Sequence, residues 1–160
     1  MSWEKVNLGD LVKISKGKKY SESSSEKSKY RYINIEDLHG GNLQRFTNDN
    51  GVTVNSNDVL IAWDGANAGK VGVGFDGVIG STLARLQPAN GDTNSKYLFW
   101  YLDSINAKIK SQRTGATIPH VNGAALKDLQ IPLPPLHTQK QIANIFSLWR
   151  RSPDLCKSVT

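Results

Sequence analysis

Residues 128–145 read DLQIPLPPLHTQKQIANI. Residues 129–131 have the apolar character of a short strand, and they run straight into Pro132-Leu133-Pro134-Pro135. Proline fixes φ and lacks a backbone donor, so Pro132, Pro134 and Pro135 are excluded from a helix interior and from a central sheet ladder. They form a stiff strut that delivers the chain to a new helix. Beyond it Ile142, Ile145, Phe146 and Trp149 recur at helical spacing. No element follows to cover that stripe, and an uncovered apolar stripe calls for a partner.

Upstream of the strut, residues 95–113 (SKYLFWYLDSINAKIKSQR) carry the strongest helical pattern. Ser95 is placed to cap it. Leu98, Tyr101, Leu102, Ile105 and Ile109 share one face, and Lys108, Lys110 and Arg113 crowd the last turns, where cations suit the helix dipole. Residues 121–127 form a second, short helical segment. The first half of the chain reads instead as strands: residues 8–14, 30–35, 52–54, 58–63, 71–75 and 78–86. Turn-rich residues 36–50 separate two of them, and Gly72, Gly74, Gly77 and Gly80 are expected at bends or bulges. Strands first and helices later, without regular alternation, predict an α+β fold with a curved or barrel-like, β-rich body.

At 160 residues the chain suits one domain with one core. No apolar run approaches a membrane span, and no apolar stretch follows the charge in residues 1–5, so no secretory leader is expected. The single cysteine, Cys156, excludes a disulfide framework, and a cytoplasmic setting fits best. The net charge is +6. Its distribution is more telling: residues 13–31 hold seven basic side chains against two acidic ones. Such a loop is either a solvated charge run or a grip on a phosphate backbone.

Gly65-Ala66-Asn67-Ala68-Gly69-Lys70 resembles a phosphate loop only at first sight. Three residues separate the glycines where a Walker loop has four, Val71 stands where Ser or Thr belongs, and a strand follows instead of a helix. A tight connection between strands is the better reading. His39, His120 and His137 are scattered, with no metal-ligand spacing. Asp58 and Asp64 flank one strand, which leaves a shared acid–base site open with no other support. No catalytic nucleophile pattern is present. Residues 113–122 (RTGATIPHVN) are different. A basic helix end passes into Thr, Gly, His and Asn, whose short polar side chains suit base edges, although a plain helix cap and connector fits them equally well.

Four passages, in order, resemble the target-recognition domain of a type I restriction–modification specificity subunit. They are Trp3-Glu4-Lys5-Val6-Asn7-Leu8-Gly9-Asp10; residues 57–62 with Gly65–Lys70; the aromatic helix at residues 97–101; and residues 131–136 followed by Gln139, Gln141, Ile142 and Ala143. The last is the most specific. The resemblance spans roughly residues 3–149 and implies a recognition domain over residues 1–136 with a truncated spacer helix and tail over residues 137–160. It implies sequence-specific binding to one half of a split double-stranded DNA target, without catalysis in this chain. S-adenosylmethionine, ATP and magnesium would belong to partner modification and restriction subunits. The chain departs from the family in having one recognition domain and in Pro153, which breaks the spacer helix before Leu155, Cys156 and Val159 weakly resume its register. A homodimer through that helix is one way to complete such a subunit.

On this reading Lys16, Lys18, Lys19, Lys27, Lys29 and Arg31 position the phosphate backbone. Arg113, Thr114, Thr117 and His120 lie near base edges, with Asn67 and Lys70 on the adjoining hairpin. Ile142, Ile145, Phe146 and Trp149 face a partner helix or a modification subunit. Two other readings fit the residues: a protein-assembly module with incidental positive charge, and a nuclease or nucleotide-dependent enzyme.

Overall fold

A computed structural model of the chain describes residues 2–23 and 25–151. The proline passage closes the domain by pairing with its opening. Strand β1 (Lys5–Asn7) runs antiparallel to β10 (Gln130–Pro132), with Val6 opposite Ile131. Pro132 ends a ladder of only two strands, where its missing donor does least harm. Between β1 and the next strand lies a single helical turn, α1 (Leu8–Leu11), before β2 (Val12–Lys16). Residues 8–14 are therefore not one strand. Leu8 and Leu11, three apart, are both buried, and only a helical turn brings both to the same side.

The strands form two open four-stranded sheets. In the first, β2 is followed in space by β9 (Leu83–Pro88), β6 (Val59–Ala62) and β7 (Val71–Val73), all antiparallel. In the second the order is β4 (Arg45–Thr47), β3 (Tyr30–Ile33), β8 (Gly77–Ile79) and β5 (Thr53–Val54), with β3 and β8 parallel. The class is α+β as the sequence predicts, but neither sheet closes into a barrel among the described residues. All four residues of β6 are buried because both its faces are covered. Val59 and Ile61 join the core beneath the helices, whereas Leu60 and Ala62 join Ile33, Val54, Ile79 and Leu83 on the opposite face.

Residues 78–86 split between the two sheets as β8 and β9. The chain crosses at Gly80, whose N–H donates to the Ile33 carbonyl at 2.9 Å. A side chain at Gly80 would run into Asn34 Oδ1, 2.4 Å from the Cβ position. Residues 36–50, read as turns, also hold the short helix α2 (Ile35–Leu38) and β4, which their Gly and Asn content masked. The long helix is two: α3 (Ser95–Ser104) and α4 (Asn106–Ser111), broken at Ile105. The break lets Asn106 Nδ2 reach the Gly69 carbonyl at 2.6 Å and lets Ile109 bury. Asn94, not Ser95, caps α3, accepting from the Tyr97 N–H at 3.0 Å. After α5 (Gly123–Lys127), β10 and the strut comes α6 (Leu136–Arg151).

Only part of α6 touches the body. Gln139 and Ala143 are buried, Ser147 accepts from Trp100 Nε1 at 3.3 Å, and the Phe146 ring stacks on Trp100 at 5.7 Å between centroids. The expected stripe is thereby divided. Ile142 and Phe146 line an apolar groove with Trp3, Tyr97, Trp100, Tyr101 and Pro132, while Ile145 is exposed on the outer side together with Leu148, which the spacing argument missed. Trp149 is partly exposed. Pro153, Leu155, Cys156 and Val159 lie outside the described residues. No described helix is long and apolar enough to cross a membrane.

Candidate nucleic-acid interface

Three pieces of chain meet at one end of the first sheet. Lys16 closes β2, residues 63–70 link β6 to β7, and residues 113–122 join α4 to α5. Left-handed φ values at Gly65 and Gly69, 96° and 103°, let the link turn back on itself. It is a connector followed by a strand, as expected. The loop is stitched to this link by backbone bonds: Gly65 N–H to the Pro119 carbonyl at 2.9 Å, and Val121 N–H to the Trp63 carbonyl at 2.8 Å.

Thr114 and His120 close the loop on itself, exchanging N–H···O bonds of 2.9 and 2.7 Å. The residues between them are a projecting tip in which Thr117 and Ile118 are exposed. Arg113 braces the root of this tip, its Nη1 donating to the Ala66 carbonyl and its Nε to the Lys110 carbonyl, both at 3.1 Å. Beneath it sits Asp64. One carboxylate oxygen lies 2.5 Å from His120 Nδ1 and the other 2.6 Å from Lys16 Nζ. Burial pushes the Asp64 pKa up, but hydrogen bonds from Lys16 and His120, with their charges, outweigh it and hold the carboxyl below its ordinary value.

Asp64 was not among the sequence candidates, beyond its place beside the strand it shares with Asp58. The two acids do not form a site together: Asp58 is buried at the other end of β6, accepting from the Asn55 N–H at 3.0 Å. A depressed carboxylate stabilises the fold above its unfolded pKa and loses that contribution as pH falls through the folded one. Asp64→Asn is therefore expected to lower the melting temperature near neutrality. That difference should shrink toward zero below about pH 4, the ordinary carboxylate value. Melting curves of both proteins across the acid range check it, and a difference independent of pH would contradict the ionic account.

The basic residues of 13–31 have unequal fates. Lys18, Lys19, Lys27 and Lys29 are exposed. Their loop is ordered by buried Tyr20, edge-on to Tyr32 at 5.2 Å, and by Ser23, whose N–H donates to the Phe46 carbonyl at 2.7 Å. Lys29 Nζ reaches Asn50 Oδ1 at 2.9 Å and lies over the Tyr30 ring. Arg31 turns inward: its Nη2 bonds the buried Asp37 carboxylate at 2.6 Å, and Asp37 also caps α2 through the Asn34 N–H. Lys70 is half-buried and Asn67 exposed on the link. Among the described residues no three His, Cys, Asp or Glu side chains gather as a metal site.

The model of the type I restriction modification DNA specificity domain family matches residues 1–152. The type I restriction enzyme MjaVIII specificity subunit of Methanocaldococcus jannaschii is 40% identical over 149 residues, covering 91% of this chain and 35% of that protein. The EcoBI specificity subunit of Escherichia coli is 23% identical, over 89% of this chain and 31% of its own length. The chain thus spans about a third of the length of these curated relatives. Among solved structures, the HsdS subunit from Thermoanaerobacter tengcongensis superposes with a TM-score of 0.71 at 23% identity, over 99% of this chain and 40% of that one. The S subunit from M. genitalium gives 0.70, at 23% identity over 94% of this chain and 40% of its own. The chain belongs to the type I restriction modification DNA specificity domain family.

Proposed function

We propose that this chain binds double-stranded DNA sequence-specifically, reading one half of a bipartite target as the specificity component of a type I restriction–modification complex in the cytoplasm. The observation that supports this most is the convergence of the loop at residues 113–122, the Gly65–Gly69 link and Lys16 at one sheet end, in a chain of this family. Lys18, Lys19, Lys27 and Lys29 would hold phosphates, being exposed cations on an ordered loop. Arg31 is subtracted from that set, because its charge is committed to Asp37. Lys16 is similarly engaged by Asp64. Thr114, Thr117 and His120 approach base edges, with Asn67 and Lys70 beside them, and Arg113 holds the loop in shape. Residues 1–136 form the reading body. The helix from residue 137 onward offers Ile145 and Leu148, with Phe146, Ile142 and Trp149, to a partner helix or a modification subunit.

The chain itself is non-catalytic. S-adenosylmethionine, ATP and magnesium act on the partner subunits, and a second copy or another specificity domain reads the other half-site.

Selection of bound duplexes from a random-sequence pool at two salt concentrations tests the reading. Enrichment of a short motif is the expected result. In the same assay Lys18→Ala weakens binding to all sequences alike and flattens the salt slope by about one unit. A Lys18→Ala protein with altered sequence preference and unchanged slope refutes the phosphate role. The second reading, an assembly module that reads no DNA, draws on exposed Ile145 and Leu148. It gains if binding is weak and insensitive to salt.

A further inference from the structure

The contact between Asp64 and His120 fixes more than the position of a ring. An ionised carboxylate has no proton to give, so at 2.5 Å the hydrogen between Asp64 Oδ1 and His120 Nδ1 resides on the nitrogen. Lys16, 2.6 Å from the other oxygen, favours that ionised form and occupies the carboxylate's second acceptor. The backbone of His120 is held on both sides by Thr114, which fixes where the side chain starts, and the contact with Asp64 fixes how the ring is turned. While the imidazole is neutral, hydrogen on Nδ1 leaves Nε2 with only a lone pair; in the charged ring Nε2 would carry a proton and donate instead. The side chain remains nearly half exposed, at 46%, so it is open to a ligand.

We infer that Asp64 is a positioning residue for base recognition: it orients the neutral His120 ring so that Nε2 presents a hydrogen-bond acceptor, which selects a base carrying an exocyclic amino group. In the major groove that means adenine, through N6, or cytosine, through N4. Guanine and thymine place carbonyl oxygens there, O6 and O4, and two acceptors facing each other repel. This inference rests on the DNA-reading proposal above and assigns to one loop residue a chemical class of base.

Two measurements on the full chain test it, using the wild type, Asp64→Ala, Asp64→Asn and His120→Ala. Imidazole nitrogen NMR at mildly alkaline pH, without DNA, reads the tautomer directly. The wild type is expected to show Nδ1 protonated and Nε2 bare, and Asp64→Ala to shift toward the opposite tautomer. Duplex selection at the same mildly alkaline pH then reads the consequence. The wild-type motif should contain one position preferring adenine or cytosine, and Asp64→Ala and His120→Ala should each reduce that preference about tenfold while sparing the others. In Asp64→Asn the amide oxygen serves Lys16 and the NH2 donates to Nδ1, so this variant should adopt the opposite tautomer and lose the preference as Asp64→Ala does.

A wild-type ring protonated on Nε2, a preference indifferent to Asp64→Ala, or a loss spread evenly over the motif would each overturn the inference alone. The even loss would mark a merely structural role. A wild type that enriches no motif overturns the DNA-reading proposal, and this inference with it.

Discussion

Gln139→Leu is expected to destabilise the fold by about 2–3 kcal/mol, seen as a fall in melting temperature of roughly 5–10 °C. Gln139 is fully buried, with its three hydrogen bonds joining three segments. Its Nε2 donates to the Asp92 carbonyl at 2.7 Å and to the Pro134 carbonyl at 2.9 Å, and its Oε1 accepts from the Asn94 N–H at 2.8 Å. Asn94 is the residue that caps α3. Leucine fills similar space but leaves two carbonyls and one N–H without partners in a poorly solvated joint, and unsatisfied buried groups are costly. Gln139→Glu should be worse, because its carboxylate would face two carbonyl oxygens. Amide exchange in α6 should quicken in both variants, since this joint sets the angle at which the helix leaves the body. A Gln139→Leu protein melting within about 2 °C of the wild type would show that water replaces all three bonds and that the strut alone directs α6.

Gly115→Ala should lower sequence discrimination at least tenfold while leaving the fold nearly as stable. Gly115 holds a φ of +97°, which costs other residues about 1–2 kcal/mol. A Cβ there would also lie 2.3 Å from the Ile118 carbonyl oxygen and 2.9 Å from His120 Cδ2. The tip has to open, and the Thr114–His120 pairing that carries the ring opens with it. Because the tip is exposed and contributes little to the core, the melting temperature should move by no more than about 2–4 °C. Salt-dependent binding to random duplexes should persist through Lys18 and Lys19, which belong to a different loop. An unchanged motif in duplex selection with Gly115→Ala would remove residues 113–122 from the reading surface.

The chain's own pattern determined what depends on near neighbours. Prolines at 132, 134 and 135 end a strand and start a helix, because ring geometry acts on the residues beside it. The unbroken apolar run of β6 announces a strand covered on both faces, and the wrong spacing in Gly65–Lys70 excludes a phosphate loop whatever surrounds it. Family resemblance lay in such local passages too, which is why it was legible. Tertiary structure alone decided the partnerships. His120 and Asp64 are 56 residues apart, and Arg31 prefers Asp37 to solvent, facts that no periodicity encodes. One apolar run became β8 and β9 because Gly80 lets the chain cross between sheets. One helical stripe was divided because Trp100 stands under Phe146 and not under Ile145. Local pattern reports whether a side chain is buried; which atom meets it across the core depends on how distant segments pack, and here that packing sets what Asp64, Gln139 and His120 do.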